Sequence, residues 1–129
     1  MTLFEFVKQQ VDFRIQQIEE EARKADTSPD GVHDLRVAIR RLSEVLRVCD
    51  NLFPEGAAAI VRKDLRSVMR VAGEVRNHDI AAELLAKASL GPSTKIEEGR
   101  VQMTAKLARR LGKWNSGVPF QTWKELLHA

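Results

Sequence analysis

His33, Arg36, Arg40 and Arg47 recur at spacings that put imidazole and guanidinium groups on one side of a helix. At about 100° per residue they share a stripe roughly 60° wide. Leu35, Ile39, Leu42, Val45, Leu46 and Cys49 take a separate, contiguous sector of the same wheel. A helix divided in this way packs by one face and can hold something negative on the other. Guanidinium is a planar fork of five donors that matches phosphate and carboxylate oxygens, whereas ammonium is mostly a point charge. His33, one turn before Arg36, can donate to an anion in either tautomer.

A second row follows at Arg62, Lys63, Arg66 and Arg70, in a sector about 100° wide, with Leu65, Val68, Ala72 and Val75 opposite. Consecutive helices joined by a short turn are normally antiparallel neighbours. The two rows are therefore expected to converge on one groove, where fixed like charges repel one another and focus a field that draws in anions. Lys106, Arg109, Arg110 and Lys113 form a third cluster, which either extends this surface or solvates its own helix.

The elements that position these residues read as helices throughout. Thr2-Leu-Phe-Glu5 is a capping box that opens a helix running to about Lys24. The turn Asp26–Gly31 places Pro29 at a first helical position, and a second helix runs from about Pro29 to Asn51. A third spans about Pro54 to Ala72. Gly73–Asp79 reads as a bend, with Arg76 and Asp79 paired across it and Asn77 or Asp79 capping a fourth helix to about Ala88. Leu90-Gly-Pro-Ser93 is a break. Thr94-Lys-Ile-Glu97 repeats the capping box for a helix to about Lys113, and a short helix covers Pro119 to Leu127. No stretch alternates with period two long enough for a strand. The expected fold is all-α, a single domain over 1–129: an antiparallel bundle of four longer helices plus a short terminal helix. The aromatic residues, from Phe4 to Trp123, lie mostly near ends and turns, as bundle caps or partner contacts do.

The composition of the 129 residues is that of a globular chain, 43% hydrophobic and 30% charged, with no tyrosine. Net charge is only +3, but 13 of the 21 basic residues are arginine and eight of those lie between Arg36 and Arg76. No apolar run approaches the ~20 residues that cross a bilayer, and the N-terminus has no signal-peptide pattern, so a cytoplasmic location is expected. Cys49, the single cysteine, sits on an apolar face as a small core residue in a reducing compartment. No His-Glu-x-x-His, cysteine pair or Asp-x-Asp loop offers a metal site. No Gly-x-Ser-x-Gly or phosphate-loop glycine pattern offers an enzyme site. Neither a catalytic residue nor a cofactor is expected.

The run His33-Asp-Leu-Arg36-Val-Ala-Ile-Arg40-Arg41-Leu42, a later basic helix, and Gly73-Glu-Val-Arg76-Asn-His-Asp79-Ile80 together resemble the CHAD family, the conserved histidine α-helical domain. The helix order and the final Pro-Phe-x-x-Trp-x-x-Leu-Leu segment are similar to the N-terminal half of that domain. The resemblance implies a helical bundle that binds inorganic polyphosphate through a basic surface groove without catalysis, associated with polyphosphate granules in some members. It assigns His33, Arg36, Arg40 and Arg41 to the basic motif, and Arg47, Lys63, Arg66 and Arg70 to the neighbouring basic positions; Arg62 joins this expected polyphosphate-binding set from its place in the second row. Arg41 stands about 80–100° off the stripe and serves a groove edge or a neighbouring helix. Two departures stand out. Asn77 replaces the family's usual acidic residue, and the chain is about half the usual length, so it is either a piece of a longer domain or a half-length form whose homodimer completes a two-lobed one, self-association being the expected behaviour. The rival readings are a nucleic-acid-binding domain, disfavoured because no aromatic residue is interleaved among the arginines, an enzyme or metal-binding accessory acting on phosphates through His33 and His78, and a structural bundle that docks a protein.

Overall fold

The computed structural model describes all of residues 1–129, 84% of them helical and none in strands. Helix α1 spans Leu3–Lys24, opened by the capping box: Thr2 Oγ1 accepts from the Glu5 amide, and Glu5 accepts from the Thr2 amide, both at 3.1 Å. Helix α2 spans Pro29–Val48, with the Ser28 hydroxyl accepting from the Gly31 amide and Pro29 pre-set for the first turn. A single 3-10 turn, Asp50–Leu52, takes the residues expected to finish that helix. Helix α3 spans Ala57–Lys87, α4 Thr94–Trp114 and α5 Val118–His128. Gly56 and Gly117 precede α3 and α5 with φ of 79° and 83°, a left-handed backbone that glycine adopts without a Cβ penalty.

Two expectations about this layout are corrected. The bend at Gly73–Asp79 does not exist: α3 runs through it unbroken for 31 residues. One mid-helix glycine costs about 1 kcal/mol against alanine, while Val71, Ala72, Val75 and Asp79 around Gly73 are all buried. Burial outweighs propensity, and the stretch contains no proline to break the hydrogen-bond ladder. Neither Asn77 nor Asp79 is therefore a cap. At α4 the cap is Ser93 rather than Thr94, its hydroxyl accepting from the Ile96 amide at 3.3 Å.

Helices α1 to α4 run antiparallel in sequence order, and α5 lies against α1, with His128 at Asp12. Along α3 and α4, Ser67 meets Arg110 and Asp79 meets Arg100. One core of 26 residues joins all five helices, with Ile15, Ile18, Ile39, Leu42, Leu65 and Leu107 at or near zero exposure. At its lower end Trp114, Phe120 and Trp123 pack edge to face at centroid distances of 5.2–5.9 Å. The Trp123 indole donates to Asp64 Oδ2 at 3.0 Å, which ties α5 to α3. Phe4, Phe6 and Phe13 are exposed instead. Cys49 is half-buried against the core at the end of α2.

Candidate functional site

The stripe on α2 divides between the two flanks of the helix. Arg36 and Arg40 lie toward α3. The Arg36 guanidinium is half-buried and held below its ordinary pKa, first by that burial and then by the positive charges of Arg40 and, from α3, Arg76. One turn past Arg40 on the same seam, Glu44 feels the charge of Arg62. Its carboxyl is held below the usual range mainly by a hydrogen bond from Arg47, 2.9 Å away on its own helix, which also raises the Arg47 pKa. The α2/α3 seam thus brings Arg36, Arg40 and Arg76 together at one level and Glu44, Arg47 and Arg62 at another.

None of Arg36, Arg40, Arg62, Arg66, Arg70 or Arg76 forms an ion pair with an acid. The Nε atoms of Arg36 and Arg62 are buried without a hydrogen-bond acceptor in the chain. Lys63, Arg66 and Arg70 are exposed and follow Arg62 away from the seam toward the outer side of α3. An Arg-rich surface with so few internal partners can only be relieved by solvent or by an anion.

His33 and Arg41 belong to the other flank. They line a cleft of about 320 Å³ between α1 and α2, together with Arg14, Gln17, Glu21 and Asp34. This separates His33 from the arginines that share its sector on the helical wheel. Arg14 was not among the expected residues, nor was Arg76 expected on the basic face. Arg14 leans over the Phe13 ring at 5.3 Å with its Nε buried and unpaired, on an α1 face that carries no basic repeat to flag it. Arg76 was expected to pair with Asp79, but Asp79 accepts from Arg100 of α4 at 2.5 Å instead. A wider cleft of about 620 Å³ between α1 and α5 mixes the acids Asp12, Glu19 and Glu20 with Arg23, Lys124 and His128, so it carries no excess of positive charge for an anion.

The third basic cluster also divides. Arg110 is half-buried and donates to the Ser67 hydroxyl, whereas Lys106, Arg109 and Lys113 are exposed on α4. His78 lies on the α4 side of α3, its Nδ1 donating to the Glu74 carbonyl at 2.7 Å and its Nε2 against Gly99. It therefore stands apart from the arginine seam. His128 reaches Asp12 at 2.7 Å, tying the last turn of α5 to α1. No group of three or more His, Cys, Asp or Glu side chains is arranged to hold a metal ion.

A family model described as the CHAD domain matches residues 9–128. The chain belongs to the CHAD family. Comparison with curated proteins and with solved structures gave no match. CHAD domains are associated with polyphosphate binding, and the motif that carries the resemblance spans both basic flanks of α2. No helix is long and apolar enough to cross a membrane.

Proposed function

We propose that this CHAD domain is a non-catalytic module that binds inorganic polyphosphate along the α2/α3 seam. Arg36, Arg40 and Arg62 engage successive phosphates there, flanked by Arg47, and Lys63, Arg66 and Arg70 carry the contact on over the exposed side of α3. His33 and Arg41 extend the contact across α2 to the mouth of its cleft with α1. The observation that carries this reading is Arg36: half-buried, beside Arg40 and Arg76, and without an acid partner. Holding like charges together opposes folding, and a polyanion removes that repulsion while supplying the missing acceptors. Each phosphate of the polymer carries about one negative charge, and guanidinium can take two of its oxygens at once. Counterion release then makes affinity fall steeply with salt. A cytoplasmic, granule-associated role accords with this ligand.

The test is calorimetric titration with long-chain polyphosphate at two salt concentrations, with RNA of equal charge as competitor. Arg40→Ala and Arg66→Ala weaken binding strongly, Lys8→Ala does little, and polyphosphate outcompetes RNA. Equal losses from all three variants would exclude a localised site. Preference for RNA would make the same face a nucleic-acid surface.

A further inference from the structure

The cleft between α1 and α2 carries both signs of charge, and the signs are sorted along it. The two helices are antiparallel across the Ala25–Ser28 connection. Arg14 and Arg41 therefore lie at the level far from that connection, and Glu21, His33 and Asp34 at the level near it, about 10 Å away by helical rise. Gln17 lies between them. Opposite charges sharing a cleft of about 320 Å³ would ordinarily close on one another. Here they do not. Arg14, Arg41, His33 and Asp34 form no ion pair within the chain, and Glu21 is engaged only by Lys24, 3.2 Å away on its own helix. The Arg14 Nε is in addition buried without an acceptor. Guanidinium groups lacking acceptors at one level and a carboxylate lacking a donor at the other describe the missing group: it accepts at several oxygens and donates at one.

A phosphate inside a polyphosphate chain does not answer that description. It has about one negative charge and no proton to give, so the arginines attract it while Glu21 and Asp34 repel it. The phosphate at the end of a chain is different. It has a further free oxygen, and its second ionisation falls near pH 6, which brings a singly protonated form with one O–H within reach. A carboxylate accepting from that hydroxyl makes a short, charge-assisted hydrogen bond. The route from the seam is present too. Arg40 lies toward α3, and Arg41, the next residue, lines the cleft. A chain that leaves the α2/α3 seam at Arg40 therefore meets the cleft at its basic end.

We infer that the α1/α2 cleft is an end site for polyphosphate. Arg14 and Arg41 hold the last bridging unit, and the terminal phosphate advances to the level of His33, which donates to it, and Asp34, which accepts from its hydroxyl. The inference rests on the polyphosphate reading of the seam and adds a polarity to it: the seam grips any stretch of a chain, and the cleft fixes one end. Asp34 supplies the selectivity, because an acid among arginines excludes the middle of a chain and admits its terminus.

Calorimetric titration at about pH 6.5 with linear tripolyphosphate and with cyclic trimetaphosphate, a ring that has no ends, tests the site. The wild type binds the linear trimer at least about tenfold more tightly than the ring. Asp34→Ala removes a negative charge from a basic region, so charge alone would tighten both ligands. At an end site it weakens the linear trimer about fivefold and tightens the ring by up to about twofold, opposite signs that a structural role does not produce. Asp34 is exposed, so this variant folds whatever Arg14 contributes to stability. Arg14→Gln weakens the linear trimer about tenfold and changes the ring within about twofold, with circular dichroism as the check on folding. Orthophosphate, which has no bridging unit for Arg14 and Arg41, binds at least about tenfold more weakly than the linear trimer. Equal affinity for linear and cyclic trimers, a shift of both in one direction in Asp34→Ala, or orthophosphate binding as tightly as the linear trimer overturns the end site. The two readings fail separately. Arg40→Ala on the seam weakens long-chain binding and leaves the linear-to-ring ratio within about twofold. A wild type that ignores long chains yet separates the two trimers removes the proposed function; one that binds long chains and does not separate them removes the end site alone.

Discussion

Helix α3 is bordered by arginines on two sides, and the two sides use them in opposite ways. Toward α4, Arg100 and Arg110 close hydrogen bonds with Asp79, the Thr27 carbonyl and Ser67. Toward α2, Arg36, Arg40, Arg62 and Arg76 gather without an acid among them except Glu44, already taken by Arg47. Satisfied guanidinium groups on one side hold the bundle together; the unsatisfied ones on the other oppose it. A face that costs stability while its neighbour supplies it is what a binding surface on a rigid scaffold looks like in energetic terms. Removing an arginine or its partner on the α4 side therefore lowers stability, and removing one on the α2 side lowers binding.

The largest effect expected from this contrast is Asp79→Ala. Asp79 is 7% exposed and its partner Arg100 is buried enough to lose much of its hydration. Breaking a buried pair from one side costs about 3–5 kcal/mol. Arg100 keeps some access to water and its bond to Thr27, which sets the expected loss near the lower bound, about 3 kcal/mol in urea unfolding. At temperatures where the variant stays folded, polyphosphate affinity is retained within about twofold, because nothing on the α2 side has moved. A comparable loss of affinity in the folded variant would erase the distinction between the two sides.

Next is Arg40→Ala, the mirror image. Arg40 is exposed and pairs with no acid, so its removal changes stability by no more than about 0.5 kcal/mol, the range for surface positions. Relief of the repulsion on Arg36 makes the sign favourable. Binding, by contrast, weakens by about tenfold or more, as expected for one charge-assisted contact, and the slope of log affinity against log salt falls by about one. Titration and thermal unfolding of the same sample read both numbers.

How much of this contrast was legible beforehand depends on the physics involved. The starts of α1, α2 and α5 were, because Thr2, Pro29 and Pro119 act within one turn of themselves, Thr2 through its hydroxyl and the prolines through a fixed φ. The basic sectors of α2 and α3 were legible too, since a helical wheel needs only the period. The partner of Asp79 was not. Arg76, three residues away, and Arg100, twenty-one residues away, are equally good carboxylate ligands by type, and only the packing of α4 chooses between them. The unbroken course of α3 through Gly73 was hidden for the same reason: the local penalty is visible in the sequence, the compensating burial is not. Arg14 and His33 show a further limit, because a wheel sorts residues about one axis and the cleft they share belongs to two helices.

Gly99→Ala sharpens the α4 side at a smaller scale. A Cβ at Gly99 would come within 2.4 Å of His78 Nε2. The imidazole has little freedom to retreat, because Nδ1 donates to the Glu74 carbonyl at 2.7 Å. Alanine gains about 1 kcal/mol of helix propensity over glycine, while overpacking costs about 1–3 kcal/mol. The balance is a loss of about 1 kcal/mol, and His78→Ala in the same chain recovers it. Failure of that second change to recover stability would mean that the close approach of α3 and α4 is not limited by this ring.

The smallest effect is the most direct test of the α2 side. Glu44 is the one acid on the seam, and its carboxylate neutralises part of the field of Arg47 and Arg62. Glu44→Gln frees Arg47 and raises polyphosphate affinity by about two- to threefold, the scale of an exposed ion pair. The pH dependence has a fixed sign. Hydrogen bonding and the charge of Arg47 hold the folded-state carboxyl below its ordinary value of 4.5. Its small contribution to stability is therefore present above 4.5 and is lost as pH falls through the lower folded value. Over the same interval the wild-type carboxyl becomes neutral like the amide, so the affinity advantage of the variant disappears. Titrations of both proteins at pH 7 and at successively lower pH should therefore converge. An advantage that persisted after Glu44 had been protonated would mean that the amide acts through its shape, and the electrostatic account of the seam would have to be replaced.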